Sequence, residues 1–198
     1  MINAPIIMIG PMSAGKSTIG GLLAEKLGWP QYSLDEKRWD YYKEIGYDKA
    51  VAAKIGQSEG MEGVLRYWKP FEAHAVIRML AEHTDGVIDF GAGHSVYEDE
   101  TLFRRVQAAL APYQYVILLL PSPNLDESVA ILNQRFSEVL AQEGIKPDPG
   151  TLSANEHFVK HPSNSLLAKI TIYTNDKTSE ETCAEILQHI ADDGGELG

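Results

Sequence analysis

The chain has 198 residues, enough for one ordinary domain with a substantial core, and 17 Lys+Arg against 28 Asp+Glu leave a formal net charge of −11. That balance excludes a broad basic surface for nucleic acid or anionic lipid, and 44% hydrophobic with 23% charged residues is too apolar for disorder. The longest apolar run, Tyr115 to Leu120, is strand-sized and too short to span a membrane, and the single cysteine, Cys183, leaves no intrachain disulfide. The Met-Ile-Asn-Ala-Pro start lacks a basic segment followed by an apolar one, so a cytoplasmic protein without nucleic-acid or membrane partners is expected, as a monomer or homodimer.

Ile6 to Ile9 reads as a short buried strand. Lys16 to Leu27 follows with Ile19, Leu22, Leu23 and Leu27 at helical spacing, and Gly28 stops it. Four more strands are expected at Tyr32–Leu34, Val87–Phe90, Tyr115–Leu120 and Ile170–Tyr173. Helical periodicity falls at about 35–45, 48–57, 62–83, 98–110, 125–142 and 179–191. Such alternation predicts an α/β fold with three layers, a five-stranded parallel sheet carrying helices on both faces. No linker divides the chain, so residues 1–198 form one domain. Within it, about 35–85 would bind an acceptor and about 133–162 would form a lid. Glu143 to Gly150 reads as a turn-rich interruption in that lid, and the stretch from Asp192 to Gly198 as a solvated tail.

Gly10-Pro11-Met12-Ser13-Ala14-Gly15-Lys16-Ser17 fits G-x-x-x-x-G-K-[ST] between a predicted strand and a predicted helix, the context this motif requires. The glycines let successive amides turn inward, and the following helix adds the partial positive charge of its N-terminus. Gly10, Ser13, Ala14, Gly15, Lys16, Ser17 and Thr18 are therefore the expected nucleotide-binding residues. Lys16 would reach the β- and γ-phosphates and the Ser17 hydroxyl would coordinate Mg2+. The bland alternative is a glycine-bearing turn with a surface lysine.

The residues resemble the shikimate kinase group of small P-loop kinases, related in fold to nucleoside monophosphate kinases. Residues 9–24 resemble the family's opening, with Ser13 where a glycine is usual. Tyr32-Ser33-Leu34-Asp35 stands where the family has two aspartates one residue apart, and only the second is retained. Trp68-Lys69-Pro70-Phe71-Glu72 is similar to the family's Phe-Arg-x-x-Glu stretch, whose arginine grips the substrate carboxylate, with lysine in its place. Gly91-Ala92-Gly93 is similar to a glycine triplet that lets substrate approach the backbone. The likeness runs in order over about residues 5–110 and returns weakly near Lys169–Glu185. It implies ATP- and Mg2+-dependent transfer of a γ-phosphoryl group to a metabolite hydroxyl, with Asp35, Lys69, Gly91, Ala92, Gly93 and His94 around the acceptor. Because lysine does not reproduce an arginine fork, a different acceptor is expected.

Asp35, at the edge of a strand, is the expected group to orient the acceptor hydroxyl and receive its proton; its bland alternative is a helix N-cap. Asp89 ends a strand and resembles a Walker B aspartate serving the metal, with a hydroxyl ligand or a turn cap as alternatives. His94 is either an acceptor contact or a surface residue, and Arg135 either a charge stabiliser near the transferring phosphoryl group or a solvated helix arginine. Lys146, Lys160, His157 and His161 are further lid groups, and Ser163 or Asn164 would cap a short helix. Trp39, Tyr41, Tyr42, Tyr47, Tyr67, Trp68 and Phe71 are read either as rings that stack on a planar acceptor or as a satellite core. The loop Thr174–Thr178 lies where kinases of this shape pack adenine. Two other functions stay open: a nucleoside or nucleotide kinase, and a regulatory protein that senses nucleotide with little turnover.

Overall fold

A computed structural model describes residues 5–194. The four residues before them and the four after them, which hold most of the chain's start and part of its expected tail, lie outside the described residues. Five strands, β1 (Ile6–Ile9), β2 (Gln31–Ser33), β3 (Val87–Asp89), β4 (Val116–Leu120) and β5 (Ile170–Tyr173), form one parallel sheet in the order β2-β3-β1-β4-β5. Successive strand residues point to opposite faces. In β1, β3 and β4 every residue is buried, so helices cover both faces of the sheet's centre.

The helices among the described residues are α1 (Lys16–Leu27), α2 (Leu34–Glu44), α3 (Lys49–Glu82), α4 (Glu100–Leu110), α5 (Leu125–Gln142), α6 (Pro149–Lys160), α7 (Ser163–Leu167) and α8 (Ser179–Asp192), with a 3-10 turn at Ala92–Ser95. The two helices expected between residues 48 and 83 meet without a loop. Gly60, at φ 67° and ψ −161°, breaks the run into two helical segments, a conformation glycine adopts at little cost. The larger departure is α6. Its first residue is Pro149, and Asp148 accepts a hydrogen bond from the Thr151 amide, so Asp-Pro-Gly opens a helix where the sequence reads as a turn. Only the stretch before it, residues 143–148, is irregular.

Register decides what meets at the top of the sheet. Asp89 is the cross-strand neighbour of Met8 on one side and of Ser33 on the other. The C-terminal ends of β1, β2 and β3 therefore converge on one place, where open α/β sheets bind their ligands. α1 packs against α8, and α3 against α4, while α6 leans on α3, α5 and the 3-10 turn, which places it over the same edge.

Candidate active site

The P-loop leaves β1 through Gly10, at φ 140°, where a Cβ would stand 2.7 Å from the Leu119 carbonyl oxygen; only glycine passes there. Ser13 has φ 60°. This left-handed conformation suits the glycine usual at that position in the resemblance, and serine holds it here against the strain of its Cβ. Lys16 is 8% exposed and donates from Nζ to the carbonyl oxygens of Gly10 and Pro11, both at 2.8 Å. Burial pushes its ammonium down to about 8, against the opposing pull of Asp35 and Asp89. The lysine is thus part of an inward-facing loop, which removes the surface-lysine alternative.

Ser17 Oγ donates to Asp89 Oδ1 at 3.0 Å, and Ser33 Oγ donates to the same oxygen at 3.2 Å. Gln31 Nε2 donates both to Asp89 Oδ2 and to the Ser17 carbonyl, each at 2.9 Å. Asp89 is 1% exposed and spends its oxygens on these groups, so it does not cap the turn at Gly91–Gly93. A carboxylate and a hydroxyl at the mouth of a P-loop are hard oxygen donors of the kind Mg2+ takes. Gln31 escaped the sequence reading, although its spacing of two from Ser33 along β2 sets both side chains on one face.

Asp35 lies in the first turn of α2 and pairs with Arg38 at 3.1 Å. Ser33 occupies the N-cap position, so Asp35 is not the cap. Its carboxylate closes over Gly91: a Cβ there would come 2.2 Å from Asp35 Oδ1 and 2.6 Å from His94 Nδ1. His94 is 1% exposed rather than a surface residue. Its Nε2 meets the Tyr42 hydroxyl at 3.2 Å, while its Nδ1 is buried without a hydrogen-bond partner on the Asp35 side. Burial pushes His94 down, with Glu72 and Asp35 opposing, which favours the neutral ring.

Below these groups Lys69 is 5% exposed, paired with Glu72 at 2.7 Å and donating to the Gly93 carbonyl oxygen at 3.1 Å. Gly93 lies against this pair, since a Cβ on it would stand 2.3 Å from Glu72 Oε1. Both 91 and 93 are therefore glycines because carboxylates fill the space a side chain would need. Ala92, between them, is half-buried.

Most of the aromatic residues pack on one another. Tyr42, Tyr47, Tyr67 and Phe71 pack on one another with centroids 5.2 to 5.9 Å apart, and Trp39 stands 5.5 Å from Tyr42. Tyr41, Tyr42 and Phe71 belong to the main core, so the cluster extends that core instead of forming a separate satellite. Ser163 and Asn164 do not cap α7 either. Ser163 exchanges hydrogen bonds with the Tyr97 backbone, and Asn164 Nδ2 donates to the Phe158 carbonyl oxygen at 2.8 Å.

Over the site, Asn155 on α6 is fully buried. Its Oδ1 accepts from the Met12 amide of the P-loop at 2.9 Å and its Nδ2 donates to Asn133 Oδ1 on α5 at 3.0 Å. This bridge had no signal in the sequence, because α6 itself was not expected. Arg135 lies on α5 two residues beyond Asn133, half-buried, and forms no ion pair with another described residue. Lys160 is held by Asp126 and Glu156 at 2.7 and 2.8 Å, and His157 by Glu98 at 2.6 Å. A cavity of about 530 Å³ opens between α3 and α6, with Lys69 and Phe158 among its lining residues. No helix among the described residues is long and apolar enough to cross a membrane.

The shikimate kinase family model matches residues 12–191. The chain belongs to the shikimate kinase family. A shikimate kinase of Streptomyces coelicolor is 30% identical over 191 residues, covering 96% of this chain and 97% of that one. One of Streptomyces avermitilis is 35% identical over 124 residues, 63% of this chain and 61% of the relative. In structure, the shikimate kinase from Acinetobacter baumannii in complex with shikimate superposes with a TM-score of 0.66 at 22% identity, covering 100% of this chain and 97% of that one, and shares its fold. Membership makes the protein an ATP-dependent phosphotransferase acting on a hydroxyl.

Proposed function

We propose that the protein transfers the γ-phosphoryl group of ATP, with Mg2+, to a hydroxyl of a small polyol held between Asp35, Gly91–Gly93 and Lys69. The observation that carries this reading is the meeting of Ser17 and Asp89 at 3.0 Å on one side of the P-loop mouth, with Asp35 over Gly91 on the other. The first pair supplies metal ligands and the second an acid beside the acceptor, and phosphoryl transfer needs both.

The P-loop amides from Ser13 to Thr18 and the N-terminus of α1 cradle the phosphates. Lys16 gives up its contacts to Gly10 and Pro11 for the β- and γ-phosphate oxygens. Ser17 and Asp89 would hold Mg2+, which would supply positive charge to neutralise the phosphates. Asp35 accepts the hydrogen bond of the attacking hydroxyl and takes its proton, and His94 Nδ1, neutral and unpartnered, faces the same space. Arg135 on the lid helix stabilises the charge of the phosphoryl group in transit. The residues at 35–85 form the acceptor subdomain and those at 133–162 the lid, with Asn155 coupling lid to P-loop. The loop Thr174–Thr178 receives the adenine through backbone contacts, in a protein that works in the cytoplasm.

A screen of metabolite pools with labelled ATP tests this, with Lys16→Ala as control. Transfer to a hydroxyl compound by the wild type, nearly abolished in a Lys16→Ala protein with unchanged circular dichroism, is the expected result. Equal transfer by both proteins overturns the P-loop assignment.

A further inference from the structure

Glu98, His157 and His161 form a cluster that phosphoryl transfer does not use. One coordinating atom from each lies within 4.8 Å of one from both others. The histidines are four positions apart at the end of α6, where His161 is the C-cap and its amide donates to the His157 carbonyl oxygen at 2.9 Å. That spacing sets both rings on one side of the helix, with centroids 5.2 Å apart. Glu98 comes from the loop between the 3-10 turn and α4, 59 positions before His157, and its Oε1 stands 2.6 Å from His157 Nε2. A surface ion pair accounts for Glu98 and His157 but leaves the convergence of His161 unexplained.

Two imidazole nitrogens and one carboxylate oxygen suit Zn2+ and similar borderline divalent ions, whereas Mg2+ takes oxygen ligands. A tetrahedral ion with bonds of about 2.0–2.1 Å sets neighbouring ligand atoms roughly 3.3 Å apart. That separation falls between the 2.6 Å of the present pair and the 4.8 Å span of the cluster, within reach of side-chain rotation. A neutral imidazole has one lone pair. The ion therefore replaces the hydrogen between His157 Nε2 and Glu98, which moves to Nδ1, and His161 gives up the 3.2 Å hydrogen bond its Nδ1 accepts from the Ser163 amide. Neighbouring cations are already matched, Lys160 with Asp126 and Glu156 and Lys69 with Glu72. Glu98 and His157 also line the cavity between α3 and α6, which gives an ion and its remaining water ligand a way in.

We propose that Glu98, His157 and His161 bind a borderline divalent metal ion of the Zn2+ type, apart from the Mg2+ ligands Ser17 and Asp89, and that this ion fastens the end of α6 to the loop before α4.

The test is titration of the full chain, freed of metal by chelation and dialysis, with Zn2+ in a calorimeter at about pH 7.5, where an ordinary histidine is neutral. Glu98→Gln, His157→Gln and His161→Gln are titrated beside it. His74→Gln is the control, since that ring also meets a glutamate, Glu44, at 2.8 Å. The expected result is one ion per chain with a Kd on the order of 1 μM or tighter. Each of the three ligand variants should weaken it by at least about tenfold, and His74→Gln should leave it unchanged. Amide hydrogen exchange over residues 149–161 should slow with Zn2+ in the wild type and in His74→Gln but not in the ligand variants. Glu98 and His157 are half-exposed, so their variants keep the fold and decide the matter even if His161→Gln does not fold. No saturable binding, binding that all three ligand variants retain, or binding lost in Asp89→Asn instead overturns the site. Binding that leaves the exchange of α6 unchanged overturns the fastening.

Discussion

Ser17 Oγ and Asp89 Oδ1 stand 3.0 Å apart, joining the first turn of α1 to the end of β3 across 72 residues of chain. Ser33, where the family resemblance expects another aspartate, donates to that same carboxylate oxygen. The charge absent at position 33 is thus replaced by a hydroxyl that orients the charge at position 89. Asp89→Asn keeps the shape and removes the charge. It should raise the Mg2+ concentration for half-maximal activity by roughly tenfold or more, as loss of a hard anionic ligand requires. Asp35→Asn should lower kcat about 10²–10⁴-fold with ATP affinity largely unchanged, the outcome expected of the proposed role of that carboxylate toward the acceptor. Kinetics at varied Mg2+ separate the two, and the same Mg2+ dependence in both variants would refute the division of roles.

ATP affinity should fall with rising pH above about 8. In the free protein burial pushes Lys16 down to about 8, whereas bound phosphates favour its ammonium and raise it. Binding therefore selects the protonated form. Affinity is full below about pH 8 and declines above it by up to about tenfold for each further pH unit, because the free protein must first take up a proton that grows tenfold scarcer. Titration calorimetry in buffers of different ionisation enthalpy should also show a proton taken up on binding in that range. An affinity flat between pH 7 and pH 10 would show that Lys16 does not contact the phosphates.

Gly91→Ala should damage turnover more than stability. The new methyl would land 2.2 Å from Asp35 Oδ1 and 2.6 Å from His94 Nδ1, and the exposed Asp35 side chain is free to swing away. A displacement of about 1 Å in a reacting group costs on the order of 100-fold. Steady-state kinetics beside a thermal melt read the two effects separately; near-wild-type kcat would place the acceptor away from Gly91.

Asn155→Ala should destabilise the protein by about 1–3 kcal/mol, the cost of leaving a buried donor unsatisfied. The donor is the Met12 amide, and the Asn133 side chain loses its partner at the same time. Because Met12 lies in the P-loop, the KM for ATP should rise as well. Denaturant unfolding and ATP titration check both, and a rise in KM without loss of stability would argue against the bridge.

The parts of this protein that its sequence determined are those whose physics is local. Gly10 to Ser17 encodes a loop conformation, an amide cradle and a helix start in eight consecutive residues, and apolar runs such as Ile6–Ile9 and Val116–Leu120 announce buried strands wherever they sit. Asp89 was legible for the same reason, as the first polar residue to end such a run. Tertiary structure alone decided which groups those residues meet. Lys69 reads as a substrate-gripping cation until the packing of α3 sets it between Glu72 and the Gly93 carbonyl oxygen. Asn155 reads as one polar residue among many until α6 brings it to Met12, 143 positions away. His94 reads as a loop histidine until Tyr42 and Glu72 close around it. Backbone conformation follows from neighbours in the chain, whereas the partner and the burial of a long polar side chain follow from how helices pack, and here that packing places Lys69 against Glu72 and Arg66 against Glu59.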